Sequence, residues 1–184
     1  KPLREGKGTT FDGGQREPTI LWWPGTIPAG RICREPASTM DMLPTIAGLA
    51  RARLPEHKID GRDIWPLIAG RDGAASPHEA LFYYQGWTLE AVRSGRWKLH
   101  FPHGYRTLAG RPGGTGGIPA KYETARTDVA LYDLENDIGE QHNVADQHPD
   151  VVERMQRLGE AMREDLGDAA RKLDGKGRRG PGRI

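Results

Sequence analysis

With a single cysteine, Cys33, in 184 residues, the chain has no means of forming an internal disulfide or a zinc site built on cysteine pairs. Long apolar runs are equally scarce. None approaches the roughly 20 residues that a membrane-spanning helix needs, so a transmembrane reading is excluded and no membrane partner is expected. The chain opens on Lys1 without the apolar stretch of a signal peptide, which fits a sequence whose beginning is missing and leaves localisation unknown. Hydrophobic residues make up 36% of the chain and charged residues 28%, enough for one domain with a core or for a domain fragment plus a small subdomain.

The net charge of +2 hides an asymmetry, because residues 171–184 hold six basic residues against one acidic. The remaining body is mildly acidic and offers no continuous basic groove, which argues against a specific nucleic-acid partner. Gly, Arg, Lys and Pro dominate that tail, so disorder is expected there.

Apolar patterning predicts the elements. Thr19 to Trp23, bounded by Pro18 and Pro24, reads as a strand covered on both faces, which needs partner strands. Ser38 to Ala52 has helical spacing, with Ser38, Thr39 or Asp41 as cap and Pro44 shifting the start. In the second half, Leu81–Tyr84 is a strand, Leu89–Arg93 and Arg96–Phe101 form a hairpin around Ser94 and Gly95, and Ala130–Leu134 is a further strand. Trp97, Leu99 and Phe101 alternate, so one face of that hairpin is buried. Pro149 at the first helical position, an apolar stripe through Val151, Val152, Met155, Leu158, Met162 and Leu166, and Gly167 just beyond describe an amphipathic helix packed on the sheet.

The chemistry concentrates in Gly6 Lys7 Gly8 Thr9 Thr10, where glycines on both sides let the backbone approach a ligand while one compact cation points at it. That suits a tetrahedral oxyanion. The glycine spacing fits neither a P-loop nor a dinucleotide fingerprint, and alone so short a pattern reads as a solvated loop. His100 and His103, three apart at a strand end, read as half a metal site without a completing cluster, as a solvated strand end, or, for His103, as the rim of a substrate pocket. Asp133, Glu135 and Asp137 alternate as in a calcium loop, but the turn glycine sits at 139 and Val144 fills the twelfth position, so a turn capped by Asn143 is expected instead.

The flanking residues say more. The string Leu3 to Pro18, then Trp23 Pro24 Gly25, resembles the arylsulfatase signature around its active-site lysine. The likeness continues in register through Ser38 Thr39 Met40 Asp41, Pro44 Thr45, Asp60 Gly61, Pro66 Leu67, Gly95, Trp97 Lys98 and Leu131 to Leu134 with Asp137, Glu140 and Asn143. It covers nearly the whole chain, apart from the glycine-rich loop at 110–117 and the tail. Departures are local: Gln15 for a small apolar residue, Arg51 for a helix-ending glycine and Ile138 for a proline.

The resemblance implies an α/β fold, the C-terminal part of the alkaline phosphatase-like sulfatase fold. One buried strand and helix of the large domain (1–75) would be followed by a small antiparallel sheet packed on a C-terminal helix (76–170) and a basic tail (171–184). It implies that Lys7 is a catalytic residue that binds the substrate sulfate, and that the complete enzyme carries a divalent cation, calcium in the family, on ligands this segment lacks, with no metal bound by the segment itself. The nucleophile, a formylglycine made within Cys/Ser-x-Pro-x-Arg, is missing: after Cys33 the proline comes one position late and Ala37 stands where arginine is required. The implied partners are a sulfate ester, a small molecule or a sugar, and the missing N-terminal part of the same protein; the family is usually exported. Two other readings stay open: a noncatalytic module with an anion-binding tail, and part of a related phosphate or phosphonate ester hydrolase, since fold does not fix substrate.

Overall fold

A computed structural model of the chain describes residues 2–180. In chain order its elements are α1 (Asp12–Gln15), α2 (Met42–Ala50), α3 (Trp65–Ile68), β1 (Leu81–Gln85), β2 (Thr88–Ser94), β3 (Trp97–His100), β4 (His103–Thr107), β5 (Glu123–Thr127), β6 (Ala130–Asp133), α4 (Pro149–Leu166), β7 (Gly167–Asp168) and β8 (Leu173–Asp174). They fall into two compact units: residues 18–79, and a second unit that joins the N-terminal segment to everything from Ala80 onward. Among the described residues no helix is long and apolar enough to cross a membrane.

Thr9, Thr10, Phe11 and Asp12 are buried, and they are buried against the second half of the chain, so the N-terminal segment is part of that unit and not of the piece that follows it.

In the unit formed by residues 18–79, α2 starts after a single 3-10 turn, Thr39–Asp41, in which the Asp41 carboxylate accepts the Ser38 backbone N–H at 2.7 Å. Asp41 is fully buried and also takes the Arg62 N–H at 2.8 Å and pairs with His78 Nε2 at 2.7 Å, so one side chain ties three loops. The helix ends at Arg51 in the left-handed region, φ 54°, at the position where the family resemblance places glycine. The expected strand at Thr19–Trp23 does not form. A strand with both faces covered needs hydrogen-bonded neighbours, and within the described residues none pairs with it; Ile20 is 92% and Trp22 84% exposed.

The other unit is built on an antiparallel sheet in the order β1-β2-β3-β6. Its hairpin turn lies one residue later than the sequence implied, because Ser94 pairs with Trp97 and leaves Gly95 and Arg96 as the turn, Gly95 at φ 56°. Strand alternation sends Val92, Leu99 and Leu131 to one face, where Met155 and the rest of the α4 stripe cover them. A bulge between Tyr83 and Tyr84 absorbs one residue of β2, so Leu89 returns to the same face. Burying each such side chain is worth about 1.5–3 kcal/mol. Pro149 begins α4, and Gly159 lets it approach closely: a Cβ there would lie 2.4 Å from the Phe101 ring.

The first residues of the basic tail make specific contacts. Leu173–Asp174 pairs antiparallel with Gly167–Asp168, and Arg178 reaches Asp174 at 3.0 Å and stacks on Trp87 at 4.7 Å. The basic tail is described as far as residue 180; positions 181–184 lie outside the described residues.

Candidate functional site

The second face of the sheet decides what the N-terminal segment can do. On it stand Tyr83, Ala91, Lys98, His100, Ala130 and Tyr132, cross-strand partners of one another in the observed register. Left to water, a lysine and a histidine there would need no explanation. Both are instead fully buried, because residues 4–15 lie across them with Phe11 stacked on the His100 ring at 4.4 Å.

That covering segment is a closed loop. The Gly13 N–H donates to the Arg4 carbonyl at 2.9 Å, the Thr9 hydroxyl to the Gly6 carbonyl at 3.0 Å, and the Gln15 amide to the Thr9 carbonyl at 3.0 Å. Gly8 sits at φ 88° with the Arg106 guanidinium where a Cβ would project, so only glycine fits there. Lys7 occupies the exposed tip.

Four anchors fix the loop to the sheet. Arg4 donates to the Tyr132 hydroxyl at 3.0 Å, the Tyr105 hydroxyl at 3.1 Å and the Glu140 carbonyl at 2.7 Å, with its guanidinium 4.2 Å above the Phe11 ring. The Thr10 hydroxyl donates to Glu90 at 2.9 Å. The Asp12 N–H donates to Glu140 Oε2 at 2.7 Å, and the Asp12 carboxylate accepts Lys98 Nζ at 2.7 Å. Lys98 also lies 3.0 Å from Glu140 Oε1, which makes it the shared counter-charge of two buried carboxylates. Charged groups out of water must be paired, and this cluster pairs them across 86 positions of sequence.

Burial pushes the His100 imidazole down from 6.5 to about 4, against the Glu140 hydrogen bond and with the Lys98 charge adding to the depression. It is therefore neutral at physiological pH, with its Nε2–H directed at Glu140 Oε1, 3.1 Å away, and Nδ1 left without a partner. For Glu140, burial favours the neutral acid, but the His100 hydrogen bond and the Lys98 charge outweigh it and hold the carboxyl below the usual range.

These shifts set a pH dependence. A histidine depressed in the folded state binds its proton more readily when unfolded, so stability falls as pH drops from 6.5 towards 4. Glu140 acts in the same direction at the acidic end. His100 alone should remove about 3 kcal/mol across that window. Urea unfolding at several pH values should show this slope in the native chain and a shallower one in His100→Gln; identical slopes would refute it.

His103 is buried beside Phe11, their ring centres 6.3 Å apart. Only 5% exposed, it donates its Nδ1–H to the Phe101 carbonyl, 2.7 Å away, and turns Nε2 towards Glu90 at 3.5 Å, so neither it nor His100 is the solvated strand end that their spacing implied. The Asp133–Asn143 stretch does form a turn: Asp137 accepts the Gln141 and His142 N–H groups, and Asn143 accepts those of Leu131 and Ala145. Among the described residues no group of three His, Cys, Asp or Glu side chains is placed to hold a metal. Asp12 and Glu140 both face Lys98, and a cation between them would have to displace it. Cys33 is exposed and belongs to the other unit.

Residues 76–177 match the family described as the C-terminal region of aryl-sulfatase, and residues 1–52 match the family described as sulfatase. The chain is 40% identical over 169 residues to human (Homo sapiens) arylsulfatase A, covering 85% of this chain and 32% of that protein, so it spans about a third of the length of such a relative. It resembles the crystal structure of Ps i-CgsB in complex with k-i-k-neocarrahexaose, with a TM-score of 0.65 and 26% identity over 95% of this chain and 34% of that one. The PsFucS1 sulfatase from Pseudoalteromonas sp. shares the fold, with a TM-score of 0.71 at 22% identity over 88% of this chain and 32% of that chain.

Proposed function

This chain belongs to the sulfatase family, and from that premise we propose that it is the C-terminal part of an enzyme hydrolysing sulfate monoesters, in which Lys7 binds the sulfate. The observation that carries the reading is the closed, anchored loop with an ammonium at its exposed tip. As the S–O bond breaks, negative charge grows on the non-bridging oxygens and the leaving oxygen, and a preorganised cation stabilises that charge without reorganising. Lys7 is such a cation, held by backbone that the buried cluster fixes.

Nucleophile and metal ligands come from residues outside this chain, in our reading the remaining two thirds of a longer protein. The divalent cation typical of the family would supply Lewis-acid stabilisation there. The exposed apolar side chains of the 18–79 unit, including Ile20, Trp22, Leu43 and Ile46, are what that remaining part would cover. A sugar sulfate is a fitting substrate class, since one similar structure is a complex with k-i-k-neocarrahexaose. Anion binding through the basic tail is less well supported: Arg171 is spent on Glu160 at 2.8 Å and Arg178 on Asp174.

The test is steady-state hydrolysis of an aryl sulfate by the complete protein and its Lys7→Ala variant. A loss of kcat supports the assignment, and an unchanged kcat/KM removes it.

A further inference from the structure

The ribbon beside the Lys7 loop carries charge that nothing above uses. In the β4–β5 register Gly104 lies opposite Arg126, and Arg106 opposite Thr124. Directly opposed residues share a face, and so do residues two apart, so these four side-chain positions form one patch. All four are exposed, whereas His103 and Thr107 on the opposite face are buried. The two arginines therefore stand at diagonal corners of an open surface, roughly 7–8 Å apart at the backbone.

The small corners keep it open. A Cβ added to Gly104 would meet only the Ala125 carbonyl, at an ordinary 3.7 Å, so nothing fills the space beside Arg126. Arg106 is held on two sides: its guanidinium donates to the Lys7 carbonyl and lies 4.7 Å from the centre of the Tyr122 ring, which is itself exposed. One edge of that fork is used by the carbonyl, out of five N–H donors in all. Of the nearby acids, Glu123 is paired with Arg111 at 3.0 Å, and Glu5 is turned to the hydroxyl of Thr107, a residue of the opposite face, at 2.8 Å.

We propose that Arg106 and Arg126, with Tyr122 as a stacking surface, form a second anion subsite next to Lys7, which takes a further sulfate or carboxylate of a sulfated oligosaccharide. Guanidinium forks suit such groups because they bind planar or tetrahedral oxyanions through paired N–H donors, and a ring beside them offers a flat face to a sugar. The inference rests on the reading of Lys7 for its placement, not for its binding energy. A substrate with a single charge would use Lys7 alone; a polyanionic chain would engage both.

Calorimetric titration of this 184-residue chain with a heparin hexasaccharide at physiological salt tests it. The native chain should bind, and Arg126→Ala should weaken binding about tenfold, the size expected for one charge-assisted contact. Arg157→Ala removes the same charge from the exposed side of α4 and should leave binding as it is. No binding by the native chain, no change in Arg126→Ala, or an equal loss in Arg157→Ala would each overturn the subsite. Lys7→Ala separates the two ideas: if it binds the hexasaccharide as tightly as the native chain while Arg126→Ala does not, the subsite stands and the sulfate role of Lys7 is what fails.

Discussion

Lys98→Met lowers the unfolding free energy of the C-terminal unit by about 3–5 kcal/mol, the cost typical of breaking a buried ion pair from one side. Lys98 has no exposed surface and no water to fall back on, and it faces Asp12 at 2.7 Å and Glu140 at 3.0 Å. Methionine fits the volume but leaves buried Glu140 without its lysine and Asp12 with only the more distant Arg16, at 3.8 Å, so the loop is held less tightly to the sheet. Since whole domains are stable by only about 5–15 kcal/mol, such a loss shifts the urea midpoint far enough to be read by circular dichroism. A companion variant, Lys98→Met with Asp12→Asn and Glu140→Gln, removes the stranded charges and should recover part of the loss. If the single variant melts like the native chain, the cluster does not hold the fold.

Lys7→Ala has the opposite signature. At an exposed loop tip it should change stability by less than about 0.5 kcal/mol, because nothing buried is uncovered. In the complete enzyme it should lower kcat for an aryl sulfate by about 10²–10³-fold, the range seen when one preorganised donor to a developing oxyanion is removed. Lys7→Arg is not a conservative rescue, since a planar fork replaces a compact charge. A kcat loss with unchanged unfolding separates the chemistry of Lys7 from the support given by Lys98. An effect on KM alone would make Lys7 a binding contact without a role as charge builds.

The two residues differ as much in how readily the sequence reveals them. Lys7 was visible because flanking glycines and a long signature mark it locally. The α4 face of the sheet was visible too, since Trp97, Leu99 and Phe101 alternate and the helix stripe repeats at its own period. The same alternation puts Lys98 and His100 on the other face, and it says which residues share a face and not what covers it. The cover arrives from residues 4–15, more than eighty positions earlier, and no local pattern records that contact. Ala91 and Ala130, small apolar residues on that face, are the local hint of a cover.

The strand expected at Thr19–Trp23 shows the converse. Apolar content announces that a segment is to be covered, but hydrogen-bonded partners make it a strand, and none is among the described residues. In the tail, composition pointed to disorder, while specific pairs, Arg178 with Asp174 and Arg171 with Glu160, hold it to the body. Net charge is blind to such pairing.

The most direct measurement is a crystal structure of the complete protein with inorganic sulfate, the product expected of the proposed hydrolysis. The account predicts a sulfate oxygen about 2.8 Å from Lys7 Nζ, with the loop still closed from Arg4 to Gly13 and Asp12 still on Lys98. Sulfate bound in the active site of that protein with Lys7 turned away into solvent would contradict it.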